Sequence, residues 1–187
     1  MNFSKDSELH LIIGNMFSGK TTEIIRLAKN YQSIGKKVLI INYEEDKRYS
    51  SSQLVSHNLE KINCIFIKEL DESTLNLFEY ITSDIILINE AQFYNNLVNF
   101  CQRVLKDNKK IYCSGLDGDF QQKKFGEILD LIPLADSVKK LTAFCGICKN
   151  GTVAPFTKRI NNSSKTEQKL IGVNEYLPVC RNHLSFE

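Results

Sequence analysis

The sequence predicts an α/β domain with a mostly parallel sheet flanked by helices, followed by a small metal-stapled lobe. Three observations predict it. Short apolar runs alternate with helical patterns up to about residue 140, the signature of βαβ units. A glycine-rich loop joins the first apolar run to the first helical pattern. From about Leu141 the helical patterns give way to paired cysteines. The boundary is therefore placed near 140, with residues 1–140 as the α/β domain and 141–187 as the lobe.

The elements follow in order. Leu9 to Ile13 is an apolar strand ending at Gly14. Lys20 to Ser33 is a helix whose apolar side is Ile24, Ile25, Leu27 and Ala28, with Gly35 as its stop. Lys37 to Asn42 is a second strand, and the polar stretch from Tyr43 to Asn58 reads as a loop. Cys64 to Ile67 is a third strand and Glu72 to Ile81 a helix. Asp84 to Asn89 is a strongly apolar strand, Leu97 to Leu105 a helix, and Lys110 to Ser114 a fifth strand ending at Gly115. A polar linker from Asn161 to Gln168 interrupts the lobe.

The 187 residues are 42% hydrophobic and 25% charged, enough to bury a core without disulfides. Lys and Arg number 24 against 22 Asp and Glu, so the net charge is only +2. Neither a nucleic-acid polymer nor a membrane surface is expected from that balance. The longest apolar runs fall well short of the ~20 residues of a membrane span. Met1 to Asp6 lacks a basic-then-apolar signal, so a cytoplasmic location is expected.

Gly14-Asn15-Met16-Phe17-Ser18-Gly19-Lys20-Thr21 fits G-x-x-x-x-G-K-[ST] without deviation, between strand and helix as its chemistry requires. Backbone N–H groups would curl around phosphate oxygens, and the helix N-terminus adds partial positive charge. Lys20 would reach the β- and γ-phosphates, and the Thr21 hydroxyl would meet Mg²⁺. The plainer reading is a glycine-rich turn that happens to precede a helix. Strand and helix context favours nucleoside-triphosphate binding.

A second polar element is expected at the carboxyl end of a neighbouring strand, where ligands of open α/β sheets bind. Asn89-Glu90 stands there, after Ile85 to Ile88. Most phosphate-loop enzymes place an aspartate at the first position to hold Mg²⁺; Asn89 is neutral. Glu90 can take a proton from an attacking hydroxyl, unless it is simply a surface or capping carboxylate.

Cys145-x-x-Cys148 and Cys180-x-x-His183 are two chelating pairs with 31 residues between them. Together they make the Cys₃His set of a closed, structural zinc site. A Cys145–Cys148 redox pair is the competing reading. Cys64, Cys101 and Cys113 are dispersed and read as small buried hydrophobes.

These elements, in this order, resemble the cellular and poxviral type of thymidine kinase. The resemblance rests on Gly14 to Glu23, Asp46-Lys47-Arg48-Tyr49-Ser50-Ser51-Ser52 and Glu90-Ala91-Gln92-Phe93. It continues through Gly115-Leu116-Asp117-Gly118-Asp119-Phe120-Gln121, Phe125-Gly126, Lys140 to Ala143, Thr157-Lys158-Arg159 and both metal pairs. It implies ATP-dependent phosphorylation of the thymidine 5′-hydroxyl. Glu90 would be the base, with Lys20 and Arg48 stabilising charge on the transferring group. ATP would lie against Gly14 to Thr22, Arg48, Asn89 and Gln92, with Mg²⁺ near Thr21 and Asp46. Met16, Phe93, Leu116, Phe120 and Tyr176 would surround the nucleoside. A lasso loop over Glu167 to Tyr176 would bring Leu170, Ile171 and Gly172 to the base, although its Ile171-Gly172-Val173 run is one residue shorter than the family's. The resemblance further implies a homotetramer and feedback inhibition by thymidine triphosphate. Asn89 departs from the family's aspartate. A weakly active or inactive nucleotide-binding regulatory paralogue and a broader deoxynucleoside kinase stay open as alternatives.

Overall fold

A computed structural model describes residues 7–46, 53–56, 59–160 and 175–184. Six strands form one sheet: β1 (Glu8–Gly14), β2 (Val38–Tyr43), β5 (Ile65–Ile67), β6 (Ile85–Ile88), β7 (Lys110–Gly115) and β8 (Ser137–Leu141). The order is β5-β2-β6-β7-β1-β8, and every neighbouring pair is parallel. Parallel strands need crossovers, and the helices α1 (Lys20–Ser33), α2 (Glu72–Leu75), α3 (Phe78–Thr82) and α4 (Leu97–Lys106) lie in those connections.

Strand periodicity divides the core between the two faces. Leu9, Leu11 and Ile13 point to the α4 side, where they meet Phe100, Cys101 and Val104. Ile12 points the other way and packs with Ile24, Ile25 and Ala28 of α1 and with Ile40 and Leu87. Burial of these aliphatic side chains on both faces is what the near-continuous apolar strands encode. Cys101 and Cys113 are fully buried, as expected of small hydrophobes, whereas Cys64 is half-buried.

Four local expectations shift. The polar stretch after β2 contains β3 (Gln53–Val55), which pairs antiparallel with β4 (Lys61–Asn63). Leu54 drives this, because its buried side chain joins the α1 cluster. The helix expected over Glu72 to Ile81 is two short helices, since Leu77 is extended at φ −65° and ψ 139°. Leu75 and Leu77 both pack on the core, and one continuous helix does not satisfy that packing here. The third strand begins at Ile65, one residue later than read. Finally, β8 joins the sheet edge although Ser137-Val138-Lys139-Lys140 has almost no apolar signal. Its lysines suit an exposed edge, which charge keeps from pairing further.

Beyond β8, β9 (Ala143–Phe144) pairs with β10 (Val153–Ala154), and β11 (Phe156–Arg159) with β12 (Tyr176–Val179). Cys145, Ala154, Val179, Cys180 and Leu184 form their own small cluster there. Among the described residues no helix is long and apolar enough to cross a membrane.

Candidate active site

The phosphate loop leaves the end of β1 at Gly14 and enters α1 at Lys20. Gly19 caps the helix at φ 86°, a left-handed conformation that glycine adopts without strain. Gly14 has φ 150°, and a Cβ there would lie 2.2 Å from the Leu141 carbonyl oxygen of β8. Within the loop, Ser18 Oγ and Lys20 Nζ donate to the Asn15 carbonyl at 2.8 and 2.7 Å. Thr21 and Thr22 follow in the first turn of α1, at the positive end of its dipole. Phe17, at φ 64°, is exposed.

The small lobe braces this loop. Met16 N donates to Thr157 Oγ1 at 3.0 Å, and Asn15 Nδ2 donates to the Phe156 carbonyl at 3.2 Å. The loop is thus held by β11, more than 140 positions away in the sequence.

At the end of β6, Asn89 is buried and donates Nδ2 to Asn42 Oδ1 at 3.0 Å. Asn42, also buried, stands at the end of β2 and directs its own Nδ2 towards Asp46 at 3.5 Å. Sequence reading singled out Asn89 and Asp46 but missed Asn42 between them. Its signal was a polar residue inside the apolar β2 run Leu39 to Tyr43.

Glu90 has a left-handed backbone, φ 53° and ψ 40°, before the turn Ala91–Phe93. Gln92 Nε2 donates to Glu90 Oε2 at 2.7 Å, and Leu116 N donates to Gln92 Oε1 at 3.0 Å. Burial pushes the neighbouring Tyr94 phenol well above its ordinary range, and the charges of Glu90 and Asp46 add to that.

Phe93 packs against Tyr43 and, edge on, against Phe125, with ring centroids 5.1 and 5.4 Å apart. Phe120 and Tyr176 are joined through Arg159, which sequence reading quoted without a role. Its guanidinium lies 3.8 Å from the Phe120 ring centroid and donates to Tyr176 Oη at 2.7 Å. Arg48, Leu170, Ile171 and Gly172 lie outside the described residues.

In the lobe, Cys145, Cys148, Cys180 and His183 offer ligand atoms that all lie within 4.8 Å of one another. His183 Nδ1 is 3.6, 3.4 and 3.3 Å from the sulfurs of Cys145, Cys148 and Cys180. Cys148 and Cys180 Sγ are 3.8 Å apart. A tetrahedron with Zn–S of ~2.3 Å puts its sulfurs about 3.8 Å apart, so the donor set fits such an ion. Burial raises the Cys145 thiol, but the backbone amides of Cys148, Cys180 and Ile147 outweigh it and bring the group down to about 5.

The family model described as thymidine kinase matches residues 7–184. Over 184 residues the chain is 41% identical to a thymidine kinase of Oryza sativa subsp. japonica, covering 96% of this chain and 67% of that one. It is 41% identical over 178 residues to thymidine kinase a of Arabidopsis thaliana, covering 94% and 74%. It is 42% identical over 175 residues to the thymidine kinase of Myxoma virus (strain Uriarra), covering 93% and 94%.

Proposed function

The chain belongs to the thymidine kinase family, and on that premise we propose how its residues divide the work. It transfers the γ-phosphoryl group of ATP to thymidine. The observation that carries this reading is the placement of a phosphate loop at the end of β1 and an acidic residue, Glu90, at the end of β6. The two ends belong to one parallel sheet, at the edge where such folds bind ligands.

Gly14 to Thr22 cradle the phosphates, with Arg48, Asn89 and Gln92 on the ATP side. Lys20 sits beside the transferring group and, with Arg48, stabilises its charge. Glu90 accepts the proton of the thymidine 5′-hydroxyl as that oxygen bonds to the γ-phosphorus and the bond to ADP breaks. Phosphoryl transfer depends on such positioning and charge stabilisation more than on covalent catalysis. Mg²⁺ entering with ATP supplies further neutralisation of the phosphate oxygens, and Thr21 and Asp46 are the residues that would hold it.

Met16, Phe93, Leu116, Phe120 and Tyr176 wall the nucleoside, whose flat base suits aromatic faces. The Arg159 bridge between Phe120 and Tyr176 supports this grouping. Leu170, Ile171 and Gly172 complete the site from the lasso.

Cys145, Cys148, Cys180 and His183 hold Zn²⁺, which supplies a structural cross-link and no catalysis because four protein ligands close its shell. The proposed division near residue 140 draws support from the lobe's apolar cluster, which among the described residues shares no member with the two sheet clusters, although Leu141 still ends β8 and packs on the α1 cluster. Feedback inhibition by thymidine triphosphate, a homotetrameric assembly and a cytoplasmic location rest on kinship with the family.

The test is turnover of thymidine with ATP and Mg²⁺, run beside deoxycytidine and deoxyguanosine. Thymidine monophosphate formation at a much higher kcat/KM than the other two products is expected. No thymidine turnover by folded protein would refute the reading.

A further inference from the structure

We propose that Gln92 is the positioning residue for Glu90, its side-chain amide fixing the carboxylate to the loop that follows β7. The inference rests on the reading of Glu90 as the base. Gln92 is 2% exposed, and its amide is engaged at both ends: Nε2 donates to Glu90 at 2.7 Å, and Oε1 accepts from Leu116 N at 3.0 Å. Any contact with ATP would have to come through its second amide hydrogen.

The surroundings are built around this side chain. A Cβ on Gly115 would lie 2.5 Å from Gln92 Oε1, and one on Gly126 would lie 2.1 Å from the Gln92 carbonyl oxygen. Gly126 also has φ 62°, so the end of β7 and a separate loop both give up side chains where Gln92 passes. Glu90 itself adopts a left-handed backbone, a strained conformation for a residue with a side chain, which persists only where its surroundings impose it. The hydrogen bond from Gln92 is one such constraint.

The residue type follows from the two jobs. A side chain here must accept a backbone N–H and donate to a carboxylate at the same time, and a carboxamide does so with two separate atoms of one planar group. Asparagine is a methylene shorter. Glutamate keeps the acceptor but turns the donor into a second negative charge. The Leu116 bond also ties the base to the loop proposed to touch the nucleoside, so the proton acceptor and the hydroxyl that it serves are set by one element. Among the described residues, Tyr94 feels the charges of both Glu90 and Asp46, the latter after β2, and Lys20 donates to the Asn15 carbonyl.

The decisive variant is Gln92→Glu, which retains the Leu116 contact and changes only what faces Glu90. Side-chain ¹³C NMR of glutamate-labelled protein, assigned by difference with Glu90→Gln, follows the Glu90 carboxyl directly. The expected result is titration at a pH higher than in the wild type by about one unit or more, with the acid limb of log kcat moving alongside. KM for thymidine should change little, because the Leu116 contact is retained. Gly115→Ala, which crowds Gln92 from the opposite side, should shift the same limb in the same direction, and serves if Gln92→Glu does not fold. Titration of Glu90 at the wild-type pH in the folded variants would overturn the proposal. Wild-type kcat in Glu90→Gln would instead overturn the reading of Glu90 as the base, whatever Gln92 does.

Discussion

Asn89 gives its side-chain amide to Asn42 across the ends of β6 and β2, at 3.0 Å and with both residues 2% exposed. The neutral residue at the strand end is therefore half of a buried amide pair. Asn42 in turn leans on Asp46.

Asn89→Asp should accordingly move two readouts in opposite directions. The new carboxylate can only accept, so it competes with Asp46 for the Asn42 amide and adds a buried charge. A stability loss of about 1–3 kcal/mol is expected, measured by denaturant unfolding without nucleotide. In assays the added charge should lower the Mg²⁺ concentration for half-maximal activity. An unchanged Mg²⁺ dependence would place residue 89 outside the metal's surroundings.

Glu90→Gln should reduce kcat by about 10²–10⁴-fold, the usual worth of a positioned base. ATP affinity, measured by calorimetry, should be unchanged because the phosphate loop does not depend on that carboxylate.

Plasma emission analysis of freshly purified protein should find one zinc ion per chain. Cys145→Ser or His183→Ala should raise the KM for thymidine more than that for ATP. The lobe carries Arg159, hydrogen-bonded to Tyr176, onto the Phe120 ring, whereas it touches the phosphate loop only at Asn15 and Met16 among the described residues, and the loop's two ends are anchored in β1 and α1. Substoichiometric zinc in active protein would count decisively against the site.

Glu23 makes a pH prediction with a definite sign. Its hydrogen bonds with Arg26, and after burial's opposing effect those with Lys139, bring its carboxyl down to about 2. A depressed carboxyl stabilises the fold above its ordinary range near 4.5 and loses that contribution as the pH falls towards 2. The partners are largely exposed, so solvent screening holds the contribution to about 1 kcal/mol or less. Glu23→Gln should be less stable than the wild type at pH 7 by that amount, and the unfolding curves should converge as acid is added.

The sequence by itself determined the parallel sheet, the phosphate loop, the strand-end pair Asn89-Glu90 and the two chelating pairs. Each is written in short-range pattern: continuous apolar runs, fixed glycine and lysine offsets, and metal-ligand pairs three positions apart. The tertiary structure decided which polar groups meet. Asn42 and Asn89 are 47 positions apart, Gln92 and Leu116 are 24, and Asn15 and Phe156 are 141. A hydrogen bond needs donor and acceptor within about 3 Å, and only the closing of strands in their spatial order brings such distant positions that close. Edge strand β8 was illegible for the same reason. Its residues carry little apolar preference of their own, and pairing with β1 makes them a strand.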